Sequence, residues 1–242
     1  MEKPNRKTIL ITGASRGIGY AVATSFAQNG YIVYANYNKH PNALNQLSEQ
    51  FSEDGYTLIP IHGDVSCKKD VDDMISKING VDVLINNAGI SQFKQFIDIT
   101  EEDWDHMMSV NLKSAYLCTR SVIPYMIHNK WGRIINVSSV WGVTGGSCEV
   151  HYSAAKAGMI GFTKALAKEM APSGIQVNCI APGVIDTDMN RDLSESDLQR
   201  IKEQTPIGTI GLPEHIAEAA LFLVKNDFIT GEVLNINGGF YI

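Results

Sequence analysis

The chain has 242 residues, of which 44% are hydrophobic, and its formal net charge is -6. These values suit a globular protein with a substantial core, and the acidic balance argues against a nucleic-acid-binding surface. No apolar run reaches the roughly 18 residues of a membrane span, and the N-terminus lacks the pattern of a signal peptide, so we expect a cytoplasmic protein without membrane contact.

Short apolar runs alternate with helical patterns along the whole chain. In chain order we predict strand 8–11, helix 17–28, strand 31–37, helix 42–51, strand 56–61, helix 69–78, strand 81–85, helix 102–128, strand 133–137, helix 152–170, strand 175–180, a short polar helix 195–203, helix 213–224 and strand 233–236. No linker or repeat divides the chain, so residues 1–242 are expected to form a single domain.

The strands are rich in β-branched residues and apolar nearly throughout, which is typical of a parallel sheet covered on both faces. The repeated strand–helix order predicts the fold class: an α/β, Rossmann-like, doubly wound parallel sheet of seven strands with helices on both faces. Ligands of such sheets bind at the carboxyl ends of the strands. The irregular segment at about 183–211 follows the sixth strand, so we predict that it is a substrate lid.

The first strand runs directly into Thr12-Gly13-Ala14-Ser15-Arg16-Gly17-Ile18-Gly19, and a helix follows. Glycines here permit a tight turn and a close approach of phosphate to the backbone, and the helix N-terminus favours negative charge. An ordinary turn with glycines for packing is the alternative. The position between the first strand and the first helix favours a dinucleotide site.

This G-x-x-x-G-x-G spacing resembles that of the short-chain dehydrogenase/reductase family. Further family motifs stand in order along the chain: Asn86-Asn87-Ala88-Gly89, Ser139, Tyr152-x-x-x-Lys156, Pro182-Gly183 and Thr187. The resemblance covers nearly the whole chain. It implies an oxidoreductase that transfers hydride between a nicotinamide cofactor and a carbonyl or alcohol.

Tyr152 and Lys156 are four residues apart on a predicted helix and therefore share a face. A free tyrosine is a weak acid with a pKa near ~10, and a neighbouring ammonium lowers that pKa, so the spacing suits a proton donor tuned by lysine. Ser139 lies 13 residues before Tyr152, as the family pattern requires, and its hydroxyl can hydrogen-bond the reacting carbonyl. We expect the neighbouring Ser138 to point elsewhere.

Asn111 lies in the long predicted helix after the fourth strand. The resemblance assigns it to a water-linked proton relay behind Lys156. An interior asparagine that satisfies a buried backbone group is the alternative. The resemblance thus implies four catalytic residues, namely Asn111, Ser139, Tyr152 and Lys156.

The segment after the second strand, residues 35–40, contains no Asp or Glu that would repel a 2′-phosphate. Arg16 and Lys39 could bind that phosphate, so we predict NADP(H) as the cofactor. Asp64 and Val65 resemble the family's adenine contact, although Asp64 could instead cap the next helix. The full set of expected cofactor contacts is Gly13, Ser15, Arg16, Gly17, Ile18, Gly19, Asn36, Lys39, Asp64, Val65, Asn87, Ala88, Gly89, Tyr152, Lys156, Pro182, Gly183, Ile185 and Thr187.

Within the family, the chain is most similar to reductases of 3-oxoacyl-(acyl-carrier-protein) thioesters in bacterial fatty-acid synthesis. Reductases of this kind dock the acidic carrier protein on two basic positions: one is Lys130, which keeps its charge, and the other is the neutral Ser173. A second departure is Thr209, which replaces an arginine common in the family. Another carbonyl substrate (a sugar, a steroid or a small ketone) and a dinucleotide-binding regulator without turnover are the alternatives.

Two aromatic residues and the chain's end complete the expectations. Trp141 and His151 flank Ser139 and Tyr152 and either shape the pocket or serve packing and helix entry. The resemblance implies a homotetramer built through the two long helices and the C-terminal strand. The four cysteines, Cys67, Cys118, Cys148 and Cys179, form no C-x-x-C pair and are expected to be reduced structural thiols, and the six histidines form no ligand pattern, so no metal site is predicted.

Overall fold

The computed structural model describes residues 6–191 and 193–242. Its strands are β1 (Thr8–Ile11), β2 (Ile32–Tyr37), β3 (Thr57–His62), β4 (Val83–Asn86), β5 (Gly132–Val137), β6 (Ile175–Pro182) and β7 (Val233–Ile236). Its α-helices are α1 (Gly17–Gln28), α2 (Asn42–Glu53), α3 (Lys68–Ile75), α4 (Glu101–Met108), α5 (Ser114–Asn129), α6 (Val140–Thr144), α7 (Val150–Met170), α8 (Glu195–Gln204) and α9 (Pro213–Lys225). Every predicted strand is present.

All seven strands run parallel, in the order β3-β2-β1-β4-β5-β6-β7. The chain therefore starts in the middle of the sheet, moves outward to β3, and returns to begin the other half at β4. This reversal separates the connections that follow β1 and β4, and it opens a crevice at the carboxyl ends of these two strands. The predicted doubly wound fold class is confirmed.

Successive strand residues pack on opposite faces of the sheet. Ile9 and Ile11 of β1 lie in the core formed with α1, α2 and α9, whereas Leu10 lies in the core formed with α3, α5 and α7. All three residues are fully buried. The nearly unbroken apolar strands thus have the composition that a sheet covered on both sides requires.

The predicted helix 102–128 differs most from the structure. Residues 102–128 were predicted as a regular helix, but α4 and α5 are joined through a π-helical turn, Ser109–Lys113. Asn111 lies in this wide turn and donates hydrogen bonds from Nδ2 to Met107 O (3.1 Å) and Ile90 O (3.0 Å). A side chain that bonds backbone carbonyls competes with the regular helix, which accounts for the local widening.

The segment between β6 and α9 leaves the sheet and returns to it. Its two ends are joined where Asp186 N donates to Gly211 O (2.8 Å) and Gly211 N donates to Val184 O (3.0 Å). Between them lies α8, which corresponds to the predicted short polar helix 195–203. A capping box of Ser194 and Asp197 stabilises its N-terminus. Asp192 of the predicted lid lies outside the described residues, and the lid function itself stays a prediction.

Across residues 6–191 and 193–242, no helix is both long and apolar enough to cross a bilayer. Within the same ranges, no group of three or more His, Cys, Asp or Glu side chains is placed to hold a metal ion.

Candidate active site

The glycine turn joins β1 to α1 at the centre of the sheet edge. Gly13 and Gly17 have φ angles of +64° and +53°, which side-chain-bearing residues rarely adopt. A Cβ atom on Gly19 would lie 2.4 Å from Gly13 O, so the helix approaches the strand as closely as a glycine allows. Arg16 immediately precedes α1, and its side chain makes no capping hydrogen bond to the helix. The first N–H groups of α1 therefore remain available to an anion. The turn therefore fits the pyrophosphate of a dinucleotide.

Thr12 ties this turn to the carboxyl end of β4. Its Oγ1 accepts hydrogen bonds from the backbone N–H groups of Asn87 and Ala88, both at 3.0 Å. In return, Asn87 Nδ2 donates to Thr12 O (2.9 Å) and Gly13 O (3.0 Å). The two sides of the crevice are thus locked together by four hydrogen bonds.

Asn36 supports the turn from β2. It is buried, its Oδ1 accepts from Gly13 N (3.2 Å), and its Nδ2 donates to Gly63 O (3.0 Å). Both ends of the amide therefore hold backbone segments that border the crevice. A direct contact between Asn36 and the cofactor stays a prediction.

Ser139, Tyr152 and Lys156 come together beside this crevice. Ser139 ends the connection after β5 and begins α6, where its Oγ accepts a hydrogen bond from Trp141 N (3.2 Å). Lys156 Nζ lies 5.7 Å from the centre of the Tyr152 ring. All three side chains are buried.

The orientation of Lys156 is set by its neighbours. Its Nζ donates to Val137 O (2.9 Å), and Ser138 Oγ donates to the backbone carbonyl of Lys156 (2.8 Å). This confirms that Ser138 points away from the position of Ser139. An ammonium has three N–H groups, so two remain for a ligand.

Asn111 approaches the same point from the π-helical turn. Its Oδ1 accepts from Ile90 N (3.2 Å), and its side chain holds the segment that contains Gly89. A Cβ atom on Gly89 would lie 2.7 Å from Asn111 Oδ1 and 3.3 Å from Lys156 Nζ, so only a glycine leaves this space open. Asn111 satisfies buried backbone groups, as the alternative interpretation expected, and it also lies near Lys156.

Burial governs the ionisation of Tyr152 and Lys156. It raises the pKa of Tyr152 to about 12, against a smaller lowering by a hydrogen bond with Ser139 and a further increase from the charge of Glu149. Burial also lowers the pKa of Lys156 to about 8. The sequence predicted that Lys156 would lower the pKa of Tyr152. Desolvation outweighs any such effect and favours the neutral phenol.

The remaining predicted cofactor contacts follow the carboxyl ends of β1, β2, β3 and β6, along the same edge of the sheet as the crevice. Arg16 is exposed and forms an ion pair of 3.8 Å with Asp188, and Thr187 lies against Gly17. Lys39 is exposed. Asp64 Oδ1 accepts from Ser66 N (2.9 Å), two residues before α3 begins, and Val65 is buried. The other expected contacts are distributed over the glycine turn (Ser15, Ile18) and the end of β6 (Pro182, Gly183, Ile185).

The structure adds partners for His151 and Trp141, whose roles the sequence left open between shaping the pocket and serving packing or helix entry. His151 Nε2 and Gln92 Oε1 are 2.8 Å apart, Gln92 Nε2 donates to Asp103 Oδ1 (3.1 Å), and Asp103 also binds Lys94. Trp141 packs edge-to-face on Phe240, with ring centres 5.7 Å apart. These partners are distant in sequence and belong to no recurrent motif, so no sequence signal could have identified them.

The two expected carrier-protein contacts, Lys130 and Ser173, lie just after the ends of α5 and α7. β5 and β6 begin there, so this edge of the sheet is opposite the crevice. Lys130 follows α5 in a left-handed conformation and is exposed. A Cβ atom on Gly174 would lie 2.3 Å from Lys130 O, so Gly174 packs against Lys130. Ser173 precedes Gly174 in the chain and therefore lies close to Lys130 in space. Thr209 is exposed in the segment before α9. Only one of these three positions carries a positive charge.

Comparison with known proteins gives consistent matches over most of the chain. The family model for short chain dehydrogenases matches residues 7–198. A 3-oxoacyl-(acyl-carrier-protein) reductase of Aquifex aeolicus is 41% identical, with 97% of each chain covered. An uncharacterised oxidoreductase of Bacillus subtilis is also 41% identical, over 97% of this chain and 99% of its own.

A solved structure from Agrobacterium tumefaciens, provisionally described as a gluconate dehydrogenase, superposes with a TM-score of 0.93 at 31% identity. The match covers 97% of this chain and 95% of the other.

Replacing Thr12 by Val tests the lock between the two sides of the crevice. The change keeps the shape but leaves the N–H groups of Asn87 and Ala88 without their acceptor, so we expect a loss of about 1–3 kcal/mol in the free energy of unfolding. Urea denaturation measures this loss. The matched control is Thr24→Val, because Thr24 Oγ1 is buried and has no partner among the described residues. That variant should change stability by less than about 0.5 kcal/mol or increase it. Equal effects of the two variants would refute the role of Thr12.

Proposed function

The chain belongs to the short-chain dehydrogenase family, and from this we propose that it uses NADPH to reduce the ketone of a 3-oxoacyl thioester to a secondary alcohol. The observation that carries the proposal is the buried, neutral phenol of Tyr152 beside Ser139 at the dinucleotide crevice. The name of the Aquifex aeolicus relative supports the 3-oxoacyl substrate.

The residues of the crevice fit a nicotinamide dinucleotide. The glycine turn and the start of α1 would hold the pyrophosphate, and Lys156 has two N–H groups free for the ribose hydroxyls. When bound, the cofactor supplies the hydride that reduces the carbonyl carbon. The protein contributes position, proton transfer and exclusion of water.

Tyr152 donates a proton to the carbonyl oxygen in this proposal. Ser139 Oγ accepts from Trp141 N, and its single O–H, which hydrogen-bonds Tyr152 in this structure, can turn to donate to the same oxygen. The Lys156 ammonium stabilises the phenolate that remains after proton transfer. The resemblance places Asn111 in a water-linked relay that returns a proton towards Lys156.

The NADP(H) preference is supported by charge. Residues 35–40 carry no acid at the end of β2, and the exposed Arg16 lies at the start of α1. A guanidinium binds phosphate through paired hydrogen bonds, so Arg16 is our principal candidate for the 2′-phosphate. Lys39, which follows β2, is the second candidate.

Three further expectations belong to the same proposal. The segment 183–211 would act as the substrate lid, since it leaves the sheet beside the crevice. A homotetramer is supported by exposed apolar residues on the elements expected to pair, among them Tyr116 and Tyr125 of α5, Val150 of α7 and Ile242 after β7. The free state of all four cysteines is consistent with a cytoplasmic location.

A second substrate class has its own support. Of the two expected carrier-protein positions only Lys130 is charged, and the Agrobacterium tumefaciens structural relative is provisionally described as a gluconate dehydrogenase. A polyhydroxy ketone is therefore the alternative substrate.

The direct test is NADPH oxidation with acetoacetyl thioesters and a panel of ketones and sugars. Tyr152→Phe should lower kcat by about 100-fold or more, because it removes the proton donor. Tyr56→Phe, at a more exposed position, is the matched control and should retain full kcat. Reduction of sugars but of no acyl thioester would reject the proposed substrate. Unaltered activity of Tyr152→Phe would reject the proposed mechanism.

Arg16→Ala tests the cofactor preference. It should raise the Kd for NADPH by about tenfold through loss of a charged phosphate contact, and it should change the Kd for NADH by less than about twofold. Fluorescence titration measures both constants. Lys168→Ala removes a positive charge from an exposed position on α7 and should change neither. Equal losses for the two cofactors would show that Arg16 does not recognise the 2′-phosphate.

The pH profile of reduction tests the ionisation of the site. Since burial lowers the pKa of Lys156 to about 8 and raises that of Tyr152 to about 12, the lysine loses its charge first as the pH rises. We expect kcat/KM for the ketone to fall above about pH 8, measured with saturating NADPH. In Lys156→Met the remaining activity should lack this decline. A wild-type profile that stays flat to pH 10 would contradict the assignment.

A further inference from the structure

A chain of hydrogen bonds ends at His151, the residue that directly precedes Tyr152 in α7. The imidazole is fully buried, and its Nε2 lies 2.8 Å from Gln92 Oε1. Gln92 Nε2 in turn donates to Asp103 Oδ1 (3.1 Å). The loop after β4, which carries Gln92, and the start of α4, which carries Asp103, are thus connected to the first turn of α7.

The direction of these hydrogen bonds is set by Asp103. A hydrogen bond from the Lys94 ammonium, above all, holds the pKa of this carboxyl group well below its usual range, so it is ionised and can only accept hydrogen bonds. Gln92 must therefore turn its amide nitrogen to Asp103 and its amide oxygen to His151. His151 consequently donates from Nε2 and is held in one tautomer.

The second ring nitrogen of His151 shows why the imidazole stays neutral. Nδ1 is buried and has no partner among the described residues. A proton on Nδ1 would be a buried donor without an acceptor, and burial accordingly lowers the pKa of His151. Among the described residues, the hydrogen bond to Gln92 is therefore the one polar contact that holds the ring.

Tyr152 lies at the same contact between α7 and the connection from β4 to α4. The backbone N–H of Lys94 donates to Cys148 O (2.7 Å), two residues before α7 begins. Tyr152 itself packs in one apolar cluster with Met107 of α4 and Ile90 of the loop after β4. A displacement of α7 from this loop would therefore displace the phenol.

We propose that His151 and Gln92 are positioning residues, which hold the first turn of α7 against the loop after β4 and so fix Tyr152 in the geometry that proton transfer to the ketone requires. The inference rests on the proposed function, since it concerns the same proton donor. A small displacement of a reacting group slows the chemical step even where ligand binding is retained. The pair therefore acts on kcat through Tyr152 and contacts no reacting atom.

Two variants of His151 test whether its N–H donor matters. His151→Leu removes the donor to Gln92, and we expect kcat for ketone reduction to fall by about tenfold while KM stays within about twofold of the wild-type value. His151→Gln carries an N–H group equally far along its side chain and should recover most of the lost kcat.

Gln92→Leu breaks the same hydrogen bond from the other side. It should lower kcat as much as His151→Leu does, and the double variant should be no slower than either single variant, because only one interaction is lost. NADPH oxidation with the preferred ketone measures all of these constants.

Amide hydrogen exchange, followed by mass spectrometry without cofactor or substrate, tests the same contact independently of activity. The N–H of Ser153 donates to Glu149 O (2.8 Å) in the first turn of α7. His151→Leu and Gln92→Leu should each raise the exchange rate in this turn by about fivefold, since one hydrogen bond no longer opposes its opening. The matched control is Leu47→Ala in the core beneath α2, which should lower Tm but change neither kcat nor exchange in α7.

Unchanged exchange in the first turn of α7, or a wild-type kcat for His151→Leu, would overturn the inference. A His151→Gln variant as slow as His151→Leu would also overturn it, because the donor would then have no effect. If the wild-type protein reduces no carbonyl compound, the proposed function fails, and the exchange rates still decide whether the pair holds α7. If ketones are reduced and the variants match the wild type in both measurements, the proposed function stands and the role of the pair fails.

Discussion

Desolvation of Tyr152 and Lys156 is the constraint on which the chemistry of this site depends. The two side chains lie one helical turn apart on α7 and are both almost fully buried, at 7% and 3% exposure. Burial disfavours charge on each of them, so it makes the phenol a weaker acid and the ammonium a stronger one. Burial therefore favours a protonated phenol, which is the form that the proposed reduction would consume. Oxidation of an alcohol would need the phenolate, and the same burial opposes that form until a bound ligand changes the surroundings.

The scaffold around this pair is built from hydrogen bonds at the carboxyl ends of neighbouring strands. Thr12 follows β1 and Asn87 follows β4, and their hydrogen bonds join the two sides of the crevice. Asn36 lies within β2 and accepts from Gly13 N, so it joins β2 to the glycine turn. Buried backbone groups require such partners, and here the partners come from elements far apart in sequence. The geometry offered to a dinucleotide is consequently a property of the whole sheet edge.

The sheet, its helices and the main residues of the site were predictable because each has a local signal. Strands covered on both faces are apolar throughout, helices repeat every 3.6 residues, and the glycine turn and Tyr152-x-x-x-Lys156 have fixed spacings. The π-helical turn at Asn111 was not predictable, since it arises from bonds to Ile90 on another segment. The direction of the pKa shift of Tyr152 also escaped the sequence, because spacing indicates which charges are near but not how deeply they are buried.

The excursion between Ile185 and Gly211 has a consequence for how this protein can diversify. Its two ends are joined by a parallel bridge, so the segment between them begins and finishes at nearly one point of the sheet edge. Closing a loop costs little more when the loop is lengthened, provided that its ends stay fixed. Insertions, deletions or exchange of this stretch are therefore compatible with an intact sheet beneath. Evolution or protein engineering can therefore replace this segment without rebuilding the sheet.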